Sequence, residues 1–146
     1  MDEQDEQFVD RTRMTLTIIV CAMAAGILTF SVVTIFLRSG KEPSEGIFHF
    51  LALGVGAAAI VGSCIVPGII GKNASSQGGV RGLAGIFQTK TIIACALIEG
   101  AAFFNLVAYL IEGHKVSLFT GAACIALVLV QIPTKYRLTN WIQQRI

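Results

Sequence analysis

Charge is the scarcest commodity in this sequence. Only 14% of its 146 residues are Asp, Glu, Lys or Arg, while 54% are hydrophobic, too little charge to solvate an ordinary globular domain of that length. The four cysteines, Cys21, Cys64, Cys95 and Cys124, contain no CxxC pair. That spacing suggests neither a disulfide framework nor a thiolate zinc site, and they read as small apolar packing residues. The basic residues form no stripe interleaved with aromatics, which leaves nucleic-acid binding unsupported. His49 and His114 stand away from the one deep carboxylate. No nucleophile and base pair or metal-ligand spacing is visible, so neither an intramembrane enzyme nor a bound metal is expected.

What is abundant is long apolar sequence. Met14 to Leu37, Ile47 to Ile70, Thr91 to Ile111 and Val116 to Ile132 approach or exceed the roughly 17 to 25 helical residues that cross a hydrocarbon core. The expected fold is an all-α membrane protein with four transmembrane helices. The first run follows the acidic tail "MDEQDEQFVD" and lacks a convincing cleavage site, so it reads as a retained helix. Eight of the eleven Lys and Arg residues fall on one side of these spans: Arg11, Arg13, Lys72, Arg81, Lys90, Lys135, Arg137 and Arg145. Positive charge is retained in the cytoplasm, which predicts a multi-pass cell-membrane protein with both termini cytoplasmic.

The chain also repeats itself. A shift of 74 residues sets "TLTIIVCAMAAGILTF" (Thr15 to Phe30) on "TKTIIACALIEGAAFF" (Thr89 to Phe104), with eight of sixteen positions identical. "GAAAIV" (Gly56 to Val61) and "GAACIA" (Gly121 to Ala126) echo more faintly. Such self-similarity predicts two tandem helix pairs. The expected organisation is an acidic tail (1–13), a first pair (14–70), a Gly-rich cytoplasmic loop (71–90), a second pair (91–133) and an interfacial or solvated C-terminal segment (134–146). In the second span Gly54, Ala58 and Gly62 recur every four residues, the spacing that lets membrane helices approach closely.

Within the third run stands Glu99, where the first repeat has Ala25. It sits about 12 Å into the span at about 1.5 Å per residue, with no Lys or Arg in any span to pair with it. Desolvation there favours the neutral acid, and an ionisable group at such depth points by default to an ion or proton pathway. Gly62 and Ser63 of the second span and Gly100 beside the acid are expected to surround it, with Asn105 further along a polar route.

These segments resemble the proteolipid (subunit c) of rotary ATP synthases and vacuolar-type ATPases. "GVGAAAIVGSCIVPGIIG" is similar to that family's glycine-rich helix, and "FQTKTIIACALIEGAAFFNLVAYLI" to its carboxylate helix, over about Ile47 to Ile111. The resemblance implies that Glu99 binds the exchanged proton, with no cofactor and no catalytic residue. It also implies a homo-oligomeric ring in the lipid bilayer, with ATPase stator or motor subunits as partners. The alternative from the residues alone is a non-catalytic four-helix scaffold or accessory subunit with a structural glutamate.

Overall fold

A computed structural model describes residues 3–72 and 79–145. Five helices follow in order: α1 (Glu3–Arg38), α2 (Phe48–Lys72), α3 (Gly79–Glu112), α4 (Lys115–Val130) and α5 (Lys135–Gln143). The first three are each long and apolar enough to cross a membrane; α4 and α5 make a fourth span only if the pair, bent by 62° just past Pro133, is taken as one. Pro67 lies inside α2, which continues through it to Lys72.

At 36 and 34 residues, α1 and α3 are about 50 Å long, well beyond a hydrocarbon core of about 30 Å. Across such a core their ends would project, and those ends pack. At the end that carries α5, Val9 and Leu16 of α1, Leu83, Ala84 and Phe87 of α3, and Leu138 and Ile142 of α5 form one buried cluster. Residues 79–90, expected as loop, are therefore helix: Val80, Leu83, Ala84 and Phe87 recur at helical spacing and have a partner surface to cover. Residues 73–78 of that expected loop lie outside the described residues.

The tail, too, is helical from Glu3, with Glu3, Asp5 and Glu6 in the first turn, where the helix dipole favours acids. At the C-terminal end α5 starts at Thr134, whose side chain accepts a hydrogen bond from the Arg137 N–H at 3.2 Å. Two buried leucine-type positions four apart, Leu138 and Ile142, turn its apolar stripe onto the cluster.

Through the apolar middle, α3 is the central helix. Cys95, Ile98, Ala102 and Leu106 of α3 meet Val20, Ala24 and Ile27 of α1 and Cys124 and Val128 of α4 in a second buried cluster. Small residues set the spacing here: a Cβ at Gly121 of α4 would stand 3.0 Å from Leu106 Cδ2.

Candidate functional site

Glu99 lies 13 residues before the end of α3, about 20 Å along the axis, in the apolar middle of the fold. Its side chain is half-buried and turns toward α1, where Oε1 lies 3.9 Å from the Cβ position of Gly26. Phe103 Cζ, one turn on, lies 4.0 Å from the same point, and its ring packs edge-on against Phe30 at 5.3 Å. Gly26 itself is exposed, so the carboxyl occupies a seam that opens to the outside of the helix layer. Among the described residues it enters no ion pair and no side-chain hydrogen bond.

The residues expected around this acid are mostly elsewhere. The Ser63 hydroxyl donates to the Ile60 carbonyl at 2.8 Å, and Ser63 lines a cavity with Lys90 and Thr91 instead. Gly62 faces α3 at Leu97, with Cδ1 3.5 Å from its Cβ position. Gly100 is adjacent in sequence but points outward into a shallow apolar groove shared with Val55, Ala58 and Ala59 of α2. The neighbour that reasoning from the sequence missed is Gly26; the repeat alignment, which pairs α1 with α3, carried no information about their contact.

Asn105 is fully buried, and its amide donates to the Ala52 carbonyl of α2 at 3.0 Å and to the Ala101 carbonyl at 2.9 Å. It is a cross-link between helices, where a polar route was expected. This bond also fixes the rotation of α2. Ala52, Gly56 and Ser63 face inward, with the Asn105 amide and Thr120 methyl both 3.4 Å from the Gly56 Cβ position. Gly54 and Ala58, expected to pack, are exposed as a result, and nothing lies within 4 Å of the Gly54 Cβ position.

Two other polar constellations flank Glu99 along the axis. Toward the α5 end, a cavity of about 350 Å³ is lined by Ser63, Lys90, Thr91, Gln131 and Arg137 among others. The Lys90 ammonium lies over the rings of Phe87 (4.5 Å) and Trp141 (4.2 Å), and Arg145 stacks on Trp141 while donating to the Gly71 carbonyl at 3.2 Å.

At the opposite end, Glu112 closes α3 and is only 2% exposed. Its Oε1 accepts the Phe48 N–H at 2.7 Å and its Oε2 the His49 N–H at 2.9 Å, so it caps the start of α2. His49 Nδ1 lies 2.8 Å from the same Oε2. Donors aimed at both oxygens favour the ionised form. Arg38, at the end of α1, gives its donors to backbone oxygens of Ile111 (3.2 Å), Glu42 (2.7 Å) and Glu112 (2.9 Å), tying α1 to the end of α3. One signal in the sequence pointed here: an acid in the last turn of a helix opposes the dipole and needs partners from elsewhere.

Comparison with protein-family models, curated proteins and solved structures gives no match to this chain.

Proposed function

We propose that this is a proteolipid-like proton carrier of the membrane, in which Glu99 takes up and releases a proton within the bilayer. The observation that carries the reading is the setting of Glu99: a carboxyl in the apolar middle of the fold, beside exposed Gly26, with no ion pair among the described residues. A charged, unpaired carboxylate is costly in hydrocarbon, so the resting state there is the neutral acid. The half-buried seam keeps that acid within reach of a partner's basic group or of water, which a sealed packing glutamate would not be.

The same reading takes α1 to α4 as four spans in two tandem pairs, with both termini cytoplasmic. Two facts support it. The long helices α1 and α3 end at Arg38 and Glu112, 74 residues apart, the shift that aligns the repeat; and the basic residues gather at the end that holds α5. Only 11% of the most apolar window of α2 is buried. Its outward Gly54 and Ala58 are available to a second copy, which supports assembly into a homo-oligomer.

Infrared spectroscopy of the reconstituted protein tests the protonation state directly. At pH 7 a protonated-carboxyl stretching band is expected, absent from Glu99→Gln. No difference between the two proteins in that band, with a carboxylate band lost in Glu99→Gln, means an ionised Glu99 and removes the proton-carrier reading.

A further inference from the structure

The geometry points to a binding site for a divalent transition-metal ion of the zinc class formed by His49, Glu112 and His114. One ligand atom from each lies within 4.8 Å of the others. Glu112, the last residue of α3, and His114, the N-cap of α4, flank Gly113, and His49 joins them from the first turn of α2, so the site exists only when α2 lies alongside α3. It lies at the far end of α3 from the Lys90 cavity and does not depend on the role of Glu99.

Two imidazoles and a carboxylate are a ligand set that zinc accepts, leaving one position of a tetrahedron for water or another ligand. Around a tetrahedral zinc, N and O donors at about 2.0–2.1 Å stand about 3.4 Å apart. The ligand atoms here lie within 4.8 Å of one another, so the widest pair closes by at most about 1.4 Å to reach that spacing.

The carboxylate has capacity to spare. Oε1 accepts one backbone N–H and retains a further lone pair, while Oε2 accepts the His49 N–H and also faces His49 Nδ1 at 2.8 Å. Those backbone bonds orient it as a ligating carboxylate is oriented in metal sites. Arg38, the cation that packs against this junction, is bonded to carbonyl oxygens and not to the carboxylate, whose charge stays available.

A helix cap alone does not account for His114. Its ring centroid lies 4.2 Å from that of His49. Its backbone carbonyl accepts the Ser117 N–H at 3.1 Å, but its side chain makes no capping bond to α4, and its ring enters no hydrogen bond among the described residues. Two histidines, the whole complement of the chain, are thus stacked beside one buried acid, and one of them has no other work there.

The test uses the full chain in lipid nanodiscs, purified on a tag without histidine. After dialysis against zinc, elemental analysis is expected to find one zinc per chain in the wild type and in a Cys21→Ser/Cys64→Ser control. His114→Ala is expected to lose it while keeping wild-type helicity. Cobalt substitution is expected to give the visible bands of a four-coordinate nitrogen and oxygen site without a thiolate charge-transfer band. Thermal unfolding supplies a second readout: zinc raises the Tm of the wild type and leaves that of His114→Ala unchanged. Zinc content at background in the wild type, content equal in His114→Ala, or binding that follows the cysteines overturns the assignment.

Discussion

Phe87→Ala is expected to lower stability by about 3–5 kcal/mol, the usual range for emptying a buried aromatic position. Phe87 is 4% exposed, at the centre of the cluster that joins α1, α3 and α5. Inside a bilayer, apolar side chains gain little by leaving lipid for protein, and helices are held by close packing and hydrogen bonds. At the α5 end the flanking sequence carries Arg11, Arg13, Arg81, Lys135 and Arg137; in the proposed topology that charge keeps the cluster out of hydrocarbon, so the ordinary hydrophobic drive applies. The protein contains its own reporter. Trp141, the only tryptophan, packs edge-on against Phe87 with centroids 5.5 Å apart. Its emission is expected to move to longer wavelength in Phe87→Ala as α5 loosens; unchanged emission and Tm contradict the docking of α5.

Gly46→Ala is expected to destabilise the opposite end, by about 1–3 kcal/mol as overpacking usually does. A Cβ there would overlap Glu112 Oε1 and stand 2.7 Å from its carboxyl carbon. Because that carboxylate is held by two N–H groups of α2, it cannot retreat without uncapping the helix. Glycine is demanded again at Gly113, which has φ +79° and lies against the Arg38 guanidinium, 2.6 Å from its Cβ position. A double-mutant cycle separates this clash from a general effect on the loop. Once Glu112→Ala has removed the obstructing carboxyl, Gly46→Ala is expected to cost much less, whereas additive effects contradict the contact. Trp141 emission should stay unchanged throughout, since the substitution lies at the other end of the fold.

Long apolar runs made the helical, membrane-compatible character of the chain readable from composition, because burial in lipid needs nothing subtler than length and the absence of charge. Counting from Thr91 put Glu99 about 12 Å into its span, whereas α3 begins at Gly79 and Glu99 stands about 30 Å from that start. The loop expected at 79–90 failed for an identifiable reason: its glycines, Gly79, Gly82 and Gly85, outweighed an apolar spacing whose value depended on α1 and α5. The α2 face was legible only in part. Gly62 packs on α3 at Leu97, while Gly54 and Ala58, of the same period, are exposed, and the buried Asn105 amide bonds the Ala52 carbonyl instead. The cluster of His49, Glu112 and His114 was invisible to any search for ligand spacing, since two of its members are brought together across 65 residues of chain by the return of α2 alongside α3.

Labelling with a hydrophobic carbodiimide at pH 7, mapped by mass spectrometry on the membrane-embedded protein, tests the central claim most directly. The reagent attacks neutral carboxyls that it can reach from the apolar phase. The acids of the tail and of the α1–α2 connection, such as Glu6 and Glu42, are exposed at the ends of the helices, away from the apolar middle of the fold. Modification concentrated on Glu99 is the predicted result, with Glu99→Gln unlabelled. Absence of modification at Glu99, in protein that remains folded, would make it a sealed packing residue and contradict the proton-carrier account.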